Sequence, residues 1–187
     1  MGRPSCQARF TLVAGIFALA LWALPRPTHA AVSLEYKLKA LVVFSLAKFV
    51  EWPPETFGST NSPLIIGILG DDPFESVLEE IIQGRAINGR SLTIKRSRDV
   101  EELTTCHILF VSPSERDRES QILSRLDGLS VLTVSDSEQF LPDGGIIRLK
   151  MKQQKVRFNI SAPAAKRARL KLSSQLLSLA TDNREAD

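Results

Sequence analysis

Cysteine and histidine are scarce in this 187-residue chain, which has two of each. Only Cys106 and His107 lie beyond residue 30, where the mature domain is expected to begin. One Cys cannot form a disulfide within that domain, and one Cys with one His cannot build a Cys/His zinc site. Because neighbouring strand residues point to opposite faces, a catalytic Cys–His pair is also disfavoured.

Catalytic signatures are missing as well: there is no nucleophile elbow, phosphate loop, metal-protease helix or paired-cysteine motif. The sequence therefore predicts a non-catalytic binding domain that uses no metal and no cofactor.

Acidic residues are absent from residues 1–30, which carry three arginines and an uncharged apolar run over 10–24. That run is too short for a comfortable bilayer span, and small residues follow it at 28–30. We therefore expect residues 1–30 to be a secretory signal peptide and residues 31–187 to be a single exported α/β domain.

A net positive charge is absent once the leader is removed. Taking three arginines from 24 basic residues leaves 21, which balance the 21 acidic ones. This balance argues against a globally basic nucleic-acid-binding surface, so no nucleic-acid partner is expected. The charge is unevenly placed, because residues 31–143 hold 11 basic and 18 acidic side chains, whereas residues 144–181 hold nine basic and none acidic.

Short apolar runs alternate with helix-like segments along the chain. The predicted strands are 64–69, 92–95, 108–111, 130–134, 145–151 and 155–160, and the predicted helices are 34–52, 74–83, 114–126 and 162–180. This alternation predicts an α/β fold: a three-layer sandwich whose mainly parallel sheet has an antiparallel edge hairpin and flanking helices. Buried parallel strands explain the continuous apolar runs.

Acidic loops follow three predicted strands and contain Asp71, Asp72 and Asp136. In a parallel sheet these loops meet at the carboxyl edge, where open α/β sheets hold ligands, so the three aspartates are candidate ligand-binding residues. The favoured alternative is helix capping, since 72–75, 112–115 and 135–138 each fit a capping box. Asp71 is not needed as a cap.

Basic residues alternate with apolar ones in the predicted hairpin, where Arg148, Lys150 and Arg157 are candidate partner- or ligand-binding residues. Period two places these cations on one face and the apolar residues on the core. Either the face docks an acidic protein or a small anion, or the charges protect an edge strand from aggregation.

The predicted first helix is apolar nearly all round between residues 38 and 50. Such a helix either covers a sheet face or contacts a partner. Lys48, Glu51 and Trp52 at its end are further candidate binding residues.

An ordered series of short motifs resembles the YfiR family of bacterial periplasmic proteins. The motifs are AKFVEWP at 47–53, ILGDDPF at 68–74, NGR at 88–90, CHILF at 106–110, LTVSD at 132–136, GGII at 144–147, VRFNI at 156–160 and LSSQLL at 172–177. The resemblance covers residues 34–180, nearly the whole predicted domain.

The resemblance implies a periplasmic repressor. Such a protein binds the periplasmic region of an inner-membrane diguanylate cyclase, which lowers cyclic di-GMP and restrains biofilm formation. It also implies that an outer-membrane-associated lipoprotein can sequester the repressor, and that other members act beside membrane histidine kinases. Some members use disulfides, which the unpaired Cys106 does not allow within this domain.

Three functions remain open, with the partner-binding repressor first. The second is a periplasmic binding module for a small anionic or nucleotide-like ligand that feeds a sensor histidine kinase. An enzyme stands last, because no motif assembles an acid, a base and an electrophile. Whether the protein forms a homodimer also stays open.

Overall fold

A seven-stranded mixed sheet organises the computed structural model, which describes residues 33–180. In chain order the strands are β1 (Val50–Glu51), β2 (Leu64–Leu69), β3 (Ala86–Ile87), β4 (Arg90–Ser97), β5 (Ile108–Val111), β6 (Leu132–Ser135), β7 (Ile147–Lys152), β8 (Lys155–Ile160) and β9 (Lys171–Leu172). The large sheet has the order β3-β4-β2-β5-β6-β7-β8, while β1 and β9 form a separate antiparallel pair. The predicted leader, residues 1–30, lies outside the described residues.

The centre of the large sheet is parallel. Strands β4, β2, β5, β6 and β7 run in one direction, and β3 and β8 pair antiparallel at the two ends. This confirms the predicted α/β fold with an antiparallel edge hairpin. The ends of β2, β5 and β6 meet along one side of the sheet, called here the carboxyl edge, and their starts define the amino edge.

Helices cover both faces of the sheet and complete three layers. They are α1 (Leu34–Leu46), α2 (Val77–Ile82), α3 (Glu119–Leu126), α4 (Ala162–Arg167) and α5 (Ser174–Leu179). Val43 of α1 belongs to the same core cluster as Ile66 of β2. Ile122 of α3 belongs to the cluster on the other face, with Leu109 of β5. The uninterrupted apolar runs of the strands therefore bury side chains on both faces.

The first helix is shorter than predicted. It begins after Ser33, whose hydroxyl accepts a hydrogen bond from the Tyr36 N–H at 3.3 Å, and it ends at Leu46. The predicted end at Trp52 is wrong because residues 50–51 pair with β9 instead of continuing the helix. Tertiary strand pairing here overrides a locally helical, apolar pattern.

The predicted helix 162–180 is interrupted. Arg169 adopts a left-handed backbone with φ of 57°, which ends α4, and β9 follows. The Ser173 hydroxyl then accepts a hydrogen bond from the Leu176 N–H at 3.1 Å and starts α5 as its N-cap. The predicted helices 74–83 and 114–126 likewise begin later, at Val77 and Glu119.

The turn of the edge hairpin lies at Gln153-Gln154, as predicted. Both residues have left-handed backbones, with φ of 52° and 60°. Two successive left-handed residues characterise the type I′ turn that joins twisted antiparallel strands. The turn fixes the register in which Lys150 faces Arg157.

Candidate functional site

The carboxyl edge brings the predicted acidic loops side by side. The Ser112 hydroxyl, just after β5, donates a 2.6 Å hydrogen bond to the Asp71 carbonyl oxygen, just after β2. The Ser135 hydroxyl at the end of β6 donates to the Val111 carbonyl oxygen at 2.9 Å. Asp136 follows directly, so the expected juxtaposition of the three loops is confirmed.

Asp136 is enclosed by the first turns of α1. The Lys39 ammonium lies 2.5 Å from Asp136 Oδ2 and also contacts the Glu35 carboxylate, although the Lys39 side chain is only 3% exposed. The Tyr36 hydroxyl donates to the same Asp136 oxygen at 3.2 Å. Burial, followed by the charge of Asp136, raises the pKa of Tyr36 to about 12, so this hydroxyl remains a donor. The cluster fastens α1 to the carboxyl edge.

Asp71 and Asp72 are also paired with cations of the chain. Asp71 Oδ1 lies 2.5 Å from Arg98 Nη2, but both side chains are largely exposed and such pairs contribute little. Asp72 Oδ2 lies 2.6 Å from Arg96 Nε. Hydrogen bonding to Glu79, which Arg96 contacts at 2.6 Å, is the main cause that raises the pKa of Arg96. Each predicted carboxylate of this edge thus has a cation from the chain itself.

Of the three predicted capping boxes, those at 72–75 and 135–138 are wrong, whereas Ser112 does serve as the N-cap of the segment that follows it. Asp72 Oδ1 accepts a hydrogen bond from the Phe74 N–H at 2.7 Å, which forms a local turn before the helix begins. The Ser112 hydroxyl accepts from the Ser114 N–H at 3.5 Å and starts a 3₁₀ segment. Ser135 is not followed directly by a helix. These side chains therefore shape turns between strands and helices.

Glu119 is a buried acid that the sequence interpretation missed. Its side chain is 2% exposed at the start of α3, and both carboxyl oxygens lack a hydrogen-bond partner among the described residues. Burial raises the pKa of Glu119 above its ordinary value, and the nearby Ser137 hydroxyl, which is not aligned for a full hydrogen bond, offsets part of this rise. A sequence signal was available, since Glu119 shares its helical face with the apolar Ile122, Leu123 and Leu126.

Lys48, Glu51 and Trp52 lie at the other end of the sheet. The Trp52 indole N–H donates to the His107 carbonyl oxygen at 3.0 Å, just before β5. Glu51 faces Lys171 across the β1–β9 pair. Lys48 is exposed, and its ammonium lies 5.1 Å from the ring centroid of Phe44. Trp52 therefore joins the segment after α1 to the amino edge.

The imidazole of His107 is packed into the amino edge. Its Nδ1 accepts a 3.0 Å hydrogen bond from the Ile65 N–H, and its ring stacks on Phe57 with centroids 4.4 Å apart. Burial, with a smaller effect of Arg90, lowers the pKa of His107 to about 4, so the ring is neutral at neutral pH. The neighbouring Cys106 is buried, and burial raises the pKa of its thiol to about 11.

The edge hairpin places its cations on one face, as predicted. This face, called here the hairpin face, consists of Arg148, Lys150, Lys152, Lys155 and Arg157. Lys150 lies directly opposite Arg157, and Lys152 lies opposite Lys155. Arg148 Nη2 lies 3.7 Å from the largely exposed Glu138. Within residues 33–180, no ion pair joins Lys150 or Arg157 to an acidic side chain.

The nine predicted site residues thus occupy three regions, of which the carboxyl edge and the hairpin face adjoin each other, because Arg148 pairs in register with Ser135 and lies 3.7 Å from Glu138. They are Asp71, Asp72 and Asp136 at the carboxyl edge, Lys48, Glu51 and Trp52 at the amino edge, and Arg148, Lys150 and Arg157 on the hairpin face. No group of His, Cys, Asp or Glu within the described range is arranged to hold a metal ion. None of the helices in residues 33–180 combines the length and apolarity needed to cross a bilayer.

The YfiR/HmsC-like family model matches residues 36–181, and the chain belongs to this family. Membership indicates a periplasmic regulatory protein that acts with a protein partner. No curated protein matches the chain in a direct sequence comparison.

Proposed function

We propose that this protein is a non-catalytic periplasmic repressor of an inner-membrane signalling protein, a diguanylate cyclase. It binds the periplasmic region of that protein, lowers cyclic di-GMP and restrains biofilm formation. Family membership across residues 36–181 supports this proposal. The docking surface in the proposal is the hairpin face.

The observation that carries the docking surface is the pairing of Lys150 with Arg157. Like charges directly opposite each other on adjacent strands destabilise a sheet. Among residues 33–180, no acidic side chain forms an ion pair with either cation. An acidic surface on the partner would relieve this repulsion and add electrostatic steering during association.

Repression requires the protein to prefer the inactive state of its partner. A ligand shifts a conformational equilibrium only by its differential affinity for the two states. A tenfold reduction in activity needs about 1.4 kcal/mol of such preference. This amount is small enough for a few charged contacts at the rim of an interface.

Edge protection is the competing interpretation of the hairpin face, because β8 ends the sheet. Charge reversal separates the two interpretations. Lys150→Glu/Arg157→Glu keeps the edge charged, so it still resists edge-to-edge association. The same variant repels an acidic partner, so it loses docking.

The test is complementation of a strain from which the gene is deleted, with cyclic di-GMP and surface adhesion as readouts. We expect both to rise in the deletion strain and to return to normal with the wild-type gene. Lys150→Glu/Arg157→Glu should fail to restore them, whereas the matched double variant Lys37→Glu/Lys166→Glu should restore them. Both control residues are exposed and lie on α1 and α4.

Binding of the purified partner region should weaken as salt is added, since exposed charges are screened over about 10 Å at 0.1 M ionic strength. Unchanged cyclic di-GMP in the deletion strain would contradict cyclase control. Full complementation by the hairpin variant would contradict the docking surface alone and leave edge protection as the role of these charges.

A further inference from the structure

An open cleft of about 300 Å³ lies at the amino edge. The segments before β5 and β6 form much of its wall, and the loop after β1 and the end of α4 contribute the rest. Its lining includes His107, Ser130, Thr105 and Arg169, with Leu129 and Val131 as apolar neighbours. The cleft is separate from the hairpin face and shares none of its residues.

Two buried polar atoms of residues that line the cleft lack hydrogen-bond partners within residues 33–180: the Nε2 of His107 and the hydroxyl oxygen of Ser130. His107 is 3% exposed and Ser130 is 8% exposed. The Nδ1 of His107 already accepts the Ile65 N–H, so the neutral ring carries its proton on Nε2 as a donor. Neither this Nε2 nor the Ser130 hydroxyl has a hydrogen-bond partner among the described residues. Buried polar groups are normally satisfied, so this pair calls for an explanation.

Arg169 adds a cation to the same cleft. It is one of the non-glycine residues with a left-handed backbone, and its guanidinium Nη1 lies 3.7 Å from Glu55 Oε1 across the cleft lining. A pair of this length between two largely exposed side chains is weak. The guanidinium can therefore turn to a stronger acceptor.

The hydrogen-bond donors among the lining residues determine which kind of ligand the cleft can bind. The Nε2 of His107 and the guanidinium of Arg169 can only donate, while the Ser130 and Thr105 hydroxyls can donate or accept. Glu55 is the one lining residue that brings a carboxylate. A ligand must thus supply acceptors, and a charged acceptor forms the stronger hydrogen bonds. Leu129 and Val131 offer contact to a short apolar group.

We propose that this cleft binds a small organic carboxylate, with Arg169 and Ser130 holding the carboxylate group and His107 donating from the cleft wall. The volume lies at the lower end of the range for small-molecule pockets, which begins at about 300 Å³. The inference goes beyond the proposed function, because it concerns a different surface and a different class of ligand. It holds or fails independently of the hairpin face.

The test is a titration of the purified protein with sodium butyrate, followed by the ring nitrogen signals of His107 and by Trp52 fluorescence. Trp52 is a suitable reporter because its indole is hydrogen-bonded to the His107 carbonyl. Butyramide, which has the same size and no charge, and sodium chloride at equal ionic strength serve as controls. We expect a saturable response to butyrate alone.

Two variants and a matched control assign the site. Arg169→Gly removes the guanidinium and suits the left-handed backbone, and Ser130→Ala removes one hydroxyl. Each should weaken butyrate binding about tenfold, the effect of losing one hydrogen bond to a charged group. Ser120→Ala, at an exposed position on α3, should bind like the wild type. A response that does not saturate, that butyramide reproduces, or that survives both cleft variants would overturn the proposal.

Discussion

At the scale of single residues, the cluster of Lys39, Glu35 and Asp136 joins α1 to the loop after β6. A buried ion pair contributes little compared with an apolar replacement of both partners, but removal of one partner leaves a buried charge uncompensated. Lys39 is nearly inaccessible, and Asp136 is 11% exposed. Substitution of Lys39 should therefore lower the free energy of unfolding substantially, even though the intact ion pair adds little to it.

Lys39→Met should lower the free energy of unfolding by about 3 kcal/mol, because the Asp136 and Glu35 carboxylates lose their cation. Urea denaturation of the purified protein measures this change. Lys37→Met is the matched control, since Lys37 is exposed two residues away and should change stability by less than about 0.5 kcal/mol. Equal effects of the two substitutions would show that the cluster does not anchor the helix.

Glu119 gives a pH-dependent prediction at the same scale. Burial raises its pKa in the folded protein, so the folded state binds a proton more tightly than the unfolded state does. Stability must then fall as pH rises from the ordinary carboxyl value of 4.5 through the raised folded value. Glu119→Gln should raise the urea midpoint near neutral pH, and the gain should vanish well below pH 4.5.

Glu102→Gln, at an exposed position, provides the control for that measurement and should leave the midpoint unchanged at either pH. A gain for Glu119→Gln that persists at low pH would show that charge is not its cause.

The residue contacts were only partly predictable. The alternation of strands with helices predicted a parallel sheet. It therefore predicted that Asp71, Asp72 and Asp136 lie at one edge, because the carboxyl ends of parallel strands meet there. The partner of Asp136 was not predictable, since Lys39 lies 97 residues away and sequence alone gives no such contact. Trp52 was singled out, but its bond to His107 depends on a tertiary approach of α1 and the amino edge.

At the scale of elements, the strands were predicted better than the helices. Runs such as 108–111 are apolar on both faces, and only a buried strand or a short buried helix suits them. The predicted helix ends are wrong where pairing between distant segments determines the secondary structure. Residues 50–51 in β1 pair with residues 171–172 in β9. Each segment alone has a pattern that also suits a helix, so the long-range pair could not be predicted from local periodicity.

The hairpin turn offers a test of local backbone conformation. Gln154 has φ of 60°, where glycine avoids the cost that a side chain incurs. Gln154→Gly should therefore stabilise the protein by up to about 1 kcal/mol. Gln175→Gly, inside α5, should instead destabilise it by about 1 kcal/mol. Thermal denaturation of both variants checks the signs, and a loss of stability for Gln154→Gly would contradict the turn assignment.

At the scale of the whole molecule, the basic and acidic side chains of residues 31–187 are equal in number but unevenly distributed. Residues 31–143 are acidic in sum, and residues 144–181 carry nine cations and no acid. The fold concentrates five of these cations on the hairpin face. Such a surface favours association with an acidic protein region without making the whole molecule a polyanion binder.

The most direct test of partner docking is photo-crosslinking in intact cells from the centre of the hairpin face. A photoreactive benzoylphenylalanine is placed at Arg157, with an exposed control position at Glu102, and the captured proteins are identified by mass spectrometry. The account predicts that an inner-membrane signalling protein with a periplasmic region is captured from position 157 and not from position 102. Capture of the same proteins from both positions, or of cytosolic proteins alone, would contradict it.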